Sequence, residues 1–307
     1  MTETVVENVT ESASANGIPC EPVRRKGVLA FLVIAFGGSW GCIFTAHFLL
    51  GFSLVNPLVQ LPFAVMPALA AVVVRRWITK EGFADAGLAL RLRSEWRSYL
   101  VAWLGPLVIA AATMALAAAL SLWTPDLSVL DGLVGGLPPW AFIALLMLLY
   151  PLLTPIYGGE EFGWTSYLRP RLFPGRPALQ TLTTGLIWAV WHFPLAFAGY
   201  IEFANVPVGL AVWTGGFLLQ EILLAWLYTR SGSVWVVSLA HAGNNMVLSL
   251  LTGLLLGDES GTGAGAGLGP TTVTLLMSAP LAAACVCAVA ATAPTAVSSD
   301  SRENSSL

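Results

Sequence analysis

Five polar side chains lie in or beside long apolar stretches of this 307-residue chain, where such groups are rare. They are Glu160 and Glu161, His192, and His241 with Asn245. A glutamate held away from bulk water can deprotonate a water molecule, and a histidine can assist it or donate a proton to a leaving group. The amide of Asn245 can donate a hydrogen bond to a developing oxyanion. These residue types are therefore suited to hydrolysis.

The spacing of these residues indicates a shared chamber. Residues four apart lie on one face of a helix, so His241 and Asn245 can point into the same cavity, as can Trp188 and His192. At a rise of about 1.5 Å per residue, Glu161 and His241 each lie roughly 12 Å from one predicted membrane boundary. His192 lies roughly 18 Å deep and fits this layer less well. Ionisable groups at such depth are costly and usually face a cavity or a partner.

The composition requires lipid as the solvent for most of the chain. Only 10% of the residues are charged while 56% are hydrophobic, and the mean hydropathy is +0.77. A spanning helix needs about 20 apolar residues, and lipid leaves backbone groups no outside hydrogen-bonding partner. Eight segments approach this length: 27–52, 57–74, 99–123, 140–157, 178–198, 206–228, 234–256 and 272–291.

These segments predict an all-α integral membrane protein, a bundle of about eight transmembrane helices over residues 27–293. The candidate site occupies its second half, at 140–256. A polar N-terminal tail precedes the bundle at 1–26, and a Ser-rich C-terminal tail at 294–307 is predicted to be disordered.

The charge distribution predicts the orientation of the bundle. With eight crossings, all 14 lysines and arginines fall on one side of the membrane. The opposite connections carry only acidic residues, namely Asp126, Asp131, Glu202, Asp258 and Glu259. The positive-inside rule then predicts a multi-pass protein of the cytoplasmic (plasma) membrane with both termini in the cytoplasm. No basic run is long enough to indicate a nucleic-acid partner.

The candidate residues form three short motifs in chain order. They read Glu160-Glu161-x-x-x-Thr165, Trp188-x-x-x-His192 and His241-x-x-x-Asn245. This arrangement resembles the CPBP family, which contains the CAAX proteases and the bacteriocin-processing, Abi-type enzymes. The family pattern is Glu-Glu-x-x-x-Arg, Phe-x-x-x-His and His-x-x-x-Asn. Trp188 therefore stands in place of the family phenylalanine and Thr165 in place of the family arginine; Arg169, on the same helix face, is a candidate substitute for the missing charge.

The resemblance implies an intramembrane endopeptidase that cuts near the membrane. It implies that Glu160 is the general base, that His192 is its partner for the attacking water, and that His241 and Asn245 stabilise the oxyanion. Glu161 is then a supporting residue or a ligand. The metal question stays open, because a water activated by Glu and His needs no metal and the His-Glu-x-x-His helix of many zinc peptidases is absent.

If Zn²⁺ is bound, the expected ligands are Glu161, His192 and His241. The expected partners are membrane lipids and a peptide or protein substrate that enters from the cytoplasmic side; the sequence predicts neither the substrate's identity and prenylation nor the oligomeric state. Two other classes fit the same residues. One is a proton- or ion-coupled transporter, for which buried Glu and His are also natural parts. The other is a catalytically silent CPBP-like binding or immunity protein, which the threonine at position 165 favours.

Overall fold

The chain is described here by a computed structural model, which covers residues 19–131, 133–257 and 265–291. In these ranges all regular elements are helical, which confirms the predicted all-α bundle. The predicted C-terminal tail, most of the N-terminal tail, and the acidic residues Asp258 and Glu259 lie outside them. The helices are α1 Glu21–Leu49, α2 Pro57–Ile78, α3 Trp96–Ala119, α4 Pro139–Arg171, α5 Pro177–His192, α6 Val206–Ser231, α7 Val234–Leu255 and α8 Pro270–Ala290.

Local sequence signals set where several helices begin. The Asn56 side chain accepts a hydrogen bond from the Leu58 backbone N–H at the start of α2, at 3.0 Å. Asn205 caps α6 in the same way, accepting from Val208 N–H at 3.1 Å. These bonds satisfy backbone donors that the first turn of a helix leaves without a partner.

The number of helices suited to crossing a membrane is lower than predicted. Within the described ranges, seven helices are long and apolar enough to span, whereas eight spans were predicted. The difference is α5, which has 16 residues and a length of roughly 24 Å, less than the about 30 Å of a bilayer core. Its α-helical part ends at His192 and a 3₁₀ turn, Phe193–Ala196, follows. Pro194 explains this end, because proline lacks the N–H that would continue the helix.

Helix α4 extends well beyond its predicted end at residue 157. It continues to Arg171, so Glu160 and Glu161 lie inside the helix and not at its end. The residues that follow them, Phe162–Leu168, form a π-helical segment. The hydropathy pattern placed the end of the helix before these two glutamates because they carry charge. Their side chains are buried inside the bundle, and the helix continues past them.

Two glycines let the helices that carry the motifs approach their neighbours closely. A Cβ atom on Gly163 of α4 would lie 2.5 Å from Pro67 Cβ of α2. A Cβ atom on Gly243 of α7 would lie 2.5 Å from Pro106 Cγ of α3. Neither contact leaves room for a larger residue, as is common where small residues line helix crossings in membranes.

Helix α7 lies at the centre of the bundle. Of its most apolar window 72% is buried, against 11% to 33% for the other six candidate spans. It packs against α3, α4 and α6, while α5 packs on α6 and α2 packs on α1 and α4. The motifs of α4 and α7 therefore face each other in the interior.

The basic segments of the chain meet at one end of the bundle. Arg24 Nη1, in the first turn of α1, donates to the Arg171 carbonyl at the end of α4, at 2.6 Å. Ser233 Oγ, between α6 and α7, donates to the Ala89 carbonyl in the connection 79–95, at 2.8 Å. This arrangement agrees with the predicted clustering of basic residues; the side of the membrane on which this end lies stays a prediction.

A network of ion pairs holds the 79–95 connection against this end. Arg75 Nη1 lies 2.7 Å from Asp85 Oδ1, and Arg171 Nη2 lies 2.9 Å from Glu81 and 3.3 Å from Asp85. Both guanidinium groups are buried. Partial burial opposes ionisation of Asp85, but the hydrogen bond and charge of Arg75 and the charge of Arg171 hold the pKa of this carboxyl below its usual value.

Candidate active site

The glutamate of α4 and the histidine of α7 that the sequence singled out are in direct contact. Glu161 Oε1 lies 2.8 Å from His241 Nδ1. The second oxygen, Oε2, accepts a hydrogen bond from Thr165 Oγ1 at 2.6 Å. Glu161 and His241 are each only 2% exposed. The carboxylate is thus held at both oxygens and orients the imidazole.

The other glutamate is held by a tryptophan of α5. Trp188 Nε1 donates to Glu160 Oε2 at 3.2 Å, and both side chains are buried. Glu160 also interacts electrostatically with His241 and Glu161, and Trp164 is a further, weaker hydrogen-bonding neighbour. A carboxylate has about four lone-pair sites, so these contacts leave it able to accept a proton.

His192, on the last turn of α5, has a defined tautomer when neutral. Its Nδ1 lies 2.9 Å from the Trp188 carbonyl oxygen, which can only accept, so Nδ1 carries the proton. The neutral ring then presents Nε2 as an acceptor. The ring stacks on Phe217 with centroids 4.4 Å apart and meets Trp191 edge-on at 4.7 Å. These contacts fix the plane of the imidazole.

Trp188 contacts both histidines and also α4, the helix that carries the two glutamates. Its ring centroid lies 5.6 Å from that of His192 and 5.2 Å from that of His241. Together with its bond to Glu160, this brings four of the five predicted residues into one cluster, in which Glu160, Glu161 and His241 are buried and His192 is half-buried. The sequence placed Trp188 on the His192 face but not among the site residues, although its four-residue spacing was the available signal.

Asn245 is only partly connected to this cluster. Its Nδ2 donates to the carbonyl oxygen of His241, one turn earlier, at 3.4 Å. His241 and Asn245 therefore share one helix face, as predicted. The side-chain amide of Asn245 is half-buried. Asn245 lies in a π-helical segment of α7, Asn244–Ser249. In α4, a π-helical segment begins directly after Glu161. Such segments occur frequently at functional sites.

Tyr157 is a site neighbour that sequence reasoning missed. Its ring centroid lies 5.0 Å from that of His241. It stands four residues before Glu161 on the same face of α4, a spacing that could have identified it.

Arg169 does not take the place of the missing family arginine. Its Nη1 lies 3.4 Å from Glu221 Oε1 of α6, and its guanidinium lies 5.0 Å from the Tyr228 ring centroid. The contact with Glu161 comes from Thr165 instead. The expectation that Arg169 substitutes from the same face is thus wrong, because a buried Glu221 offers it a partner of opposite charge on another helix.

The described residues offer no group of three His, Cys, Asp or Glu side chains arranged to hold a metal ion. Nδ1 of His241 is engaged by Glu161, and Nδ1 of His192 by a backbone carbonyl. Such bonds leave Nε2 of each ring open, but both oxygens of Glu161 are engaged, by His241 and Thr165, so the predicted set of Glu161, His192 and His241 is not arranged around a metal ion here. Zn²⁺ stays a prediction.

The long apolar helices indicate a multi-pass membrane protein, and the carboxylates and imidazoles converge inside its bundle. Residues 137–247 match the family model described as type II CAAX prenyl endopeptidase Rce1-like. This stretch contains all the predicted site residues, so the predicted resemblance to the CAAX proteases is confirmed over this part of the chain. The family is one of membrane proteases, and the match indicates protease activity in that general sense. A search of curated proteins found no match.

Proposed function

We propose that this protein is an intramembrane endopeptidase that hydrolyses a peptide bond of a membrane-associated protein with a water molecule activated by Glu160 and His192. The observation that carries the proposal is the convergence of Glu160, His192 and the Glu161–His241 pair around Trp188. Ionisable groups within the membrane are costly, so they usually face a partner or a common water-filled chamber inside the bundle.

The attacking water is proposed to lose its proton to Glu160. Trp188 holds Oε2 of this carboxylate, and the remaining lone pairs are assigned the role of proton acceptor. His192 offers an unprotonated Nε2 as a second acceptor for the same water, because its Nδ1 donates to a backbone carbonyl.

The Glu161–His241 pair suits the opposite task. Glu161 accepts from His241 Nδ1 and stabilises an imidazolium, which leaves Nε2–H as a donor for the oxyanion of the tetrahedral intermediate. Asn245 is proposed to supply a second donor after rotating away from the His241 carbonyl, to which it is bound at a long 3.4 Å. The hydroxyl joins the carbonyl carbon, the C–N bond breaks, and the proton held by Glu160 passes to the leaving amine.

The proposed location is the plasma membrane, with the substrate entering from the basic end of the bundle. The matched family is named for cleavage of CAAX prenyl proteins, so a peptide with a prenylated C-terminal CAAX sequence is the first substrate class to test. The same peptide without its prenyl group separates recognition of the lipid from recognition of the peptide.

The test uses the full chain reconstituted in vesicles and follows cleavage of both peptides by mass spectrometry. General acid–base groups contribute about 10²- to 10⁴-fold, so Glu160→Gln and His192→Gln should each reduce the cleavage rate by at least about a hundredfold. Glu202→Gln, at an exposed position between α5 and α6, is the matched control and should cleave normally. Cleavage that persists in Glu160→Gln overturns the proposal.

The same vesicles distinguish the two alternative classes. A proton- or ion-coupled transporter would carry flux that is lost in Glu221→Gln while no peptide is cut. A silent binding protein would retain a bound partner after loss of both Glu160 and His241. Either result, obtained with folded protein and no cleavage of any membrane substrate, contradicts the peptidase.

A further inference from the structure

A groove lies between the start of α1 and the turn that follows α4, apart from the catalytic cluster. Its volume is about 380 Å³, within the range of about 300 to 1,000 Å³ typical of small-molecule sites. On the α1 side it is lined by Arg25, Val28, Leu29 and Leu32, which recur at helical spacing and therefore form one face.

The remaining lining consists of an apolar wall and three arginines. Leu172 and Phe173 form the wall, and Phe173 is 46% exposed. Its φ of 42° is in the left-handed region, which a residue with a bulky side chain rarely adopts and which fixes the course of this turn. Arg24, Arg25 and Arg171 complete the lining as its charged residues.

Only one of the three arginines that line the groove lacks an acidic partner in the part of the chain that the structure describes. Arg171 is paired with Glu81 at 2.9 Å, and Arg25 is paired with Glu21 one turn earlier. Arg24 instead donates Nη1 to the Arg171 carbonyl at 2.6 Å, so its guanidinium is held in place while its charge is left uncompensated.

We propose that this groove binds an anionic phospholipid, with the phosphate at Arg24 and the first part of an acyl chain over Leu29 and Phe173. A guanidinium recognises phosphate through paired hydrogen bonds, and Arg24 keeps donors free for this purpose. Leu29 is 65% exposed at a position eight residues into a membrane-spanning helix, where lipid chains are the surrounding solvent. An anionic head over an apolar floor matches both parts of the groove.

Occupancy would link two helices that the site depends on. The groove is formed by α1 together with the end of α4, the helix that carries Glu160 and Glu161. A bound lipid would add contacts on both sides of this junction and stabilise it by mass action. The inference rests on the groove and its charges and does not depend on the proposed peptidase reaction.

The experiment titrates full-length, delipidated protein with phosphatidylglycerol or phosphatidylcholine and measures bound lipid by native mass spectrometry, with thermal stability as a second readout. We expect tighter binding of phosphatidylglycerol. Arg24→Gln should weaken it about fivefold, the equivalent of ~1 kcal/mol for one basic side chain at an anionic lipid surface. Arg93→Gln removes the same charge from an exposed position in the 79–95 connection and should leave binding unchanged.

A second variant covers the case in which Arg24→Gln folds poorly, since Arg24 also binds the Arg171 carbonyl. Leu29→Glu alters an exposed side chain and places a negative charge where the acyl chain would lie, so it should also weaken phosphatidylglycerol binding. Equal affinity for the two lipids, or equal loss in the Arg24→Gln and Arg93→Gln proteins, overturns the proposal. So does inorganic phosphate that reproduces the full thermal stabilisation, because the acyl chain would then contribute nothing.

Discussion

At the scale of single residues, the neighbouring Glu160 and Glu161 differ in their hydrogen-bond partners. Glu161 is bound at both oxygens, by Thr165 and by His241, whereas the close hydrogen bond to Glu160 comes from Trp188. A carboxylate with both oxygens engaged can orient its partner, and one with fewer close hydrogen bonds keeps lone pairs that can take a proton. This difference supports the separate roles that we propose for the two glutamates.

The role of the hydrogen bond from Thr165 to Glu161 can be tested by removing only the hydroxyl. Thr165→Val keeps the shape of the side chain but removes its hydroxyl, and hydrogen bonds to charged groups contribute about 1.5 to 3 kcal/mol. We expect the kcat for peptide cleavage to fall by about tenfold or more, because 1.4 kcal/mol corresponds to a factor of ten. Thr165→Ser retains the hydroxyl and should keep most of the activity. Equal activity of the Val and Ser proteins would mean that the bond to Glu161 has no part in orienting His241.

At the scale of elements, the site depends on close helix crossings. Gly163 of α4 against Pro67 of α2, and Gly243 of α7 against Pro106 of α3, let the two motif helices sit deep in the bundle. Each glycine lies within three residues of a motif histidine or glutamate. Space at these crossings thus determines where the carboxylates and imidazoles can meet.

The close crossing of α4 and α2 predicts that a larger residue at position 163 destabilises the protein. Gly163→Ala puts a Cβ atom 2.5 Å from Pro67 Cβ and 2.7 Å from its backbone carbon, so the helices must move apart. Overpacking of this kind typically costs about 1 to 3 kcal/mol, so the thermal midpoint in detergent should fall and cleavage should weaken with it. Gly105→Ala in α3 is the matched control, since no atom lies within 4 Å of the added Cβ. A Gly163→Ala protein as stable as the control would show that the crossing has room to spare.

At the scale of the whole molecule, one end of the bundle is held together by charge. Arg75 of α2 and Arg171 of α4 are both buried and share Asp85 of the connection between α2 and α3. The end of α4, distant in the chain, is thus joined to α2 and the connection that follows it through one carboxylate.

The pH dependence of this junction has a definite sign. Asp85 has a pKa below its usual value, so its contribution to stability is present above the ordinary carboxyl pKa and is lost as the pH falls through the lower, folded-state pKa. The thermal midpoint of the wild type should therefore exceed that of Asp85→Asn at pH 7, and the difference should shrink in acid. Asp131→Asn, at an exposed position between α3 and α4, should follow the wild type across the range. A difference between wild type and Asp85→Asn that is constant with pH would contradict this account.

Composition and local pattern alone determined the class of molecule and the residues that matter. A chain with 56% hydrophobic and 10% charged residues must be an integral membrane protein, and lipid forces its spans to be helices. Polar groups are so costly in that setting that Glu160, Glu161, His192 and His241 could be recognised as a set, and these four do form one cluster around Trp188.

Only the tertiary structure decided the extent of α4 and α5 and the partners within the site. Hydropathy ended α4 at residue 157 because charges follow, yet the helix continues to Arg171, since its carboxylates find donors on α5 and α7. Whether Thr165 or Arg169 contacts Glu161 depended likewise on Glu221 of α6, which takes the arginine. Contacts between helices distant in sequence carry these decisions, because a buried polar group is stable only where folding supplies its partner.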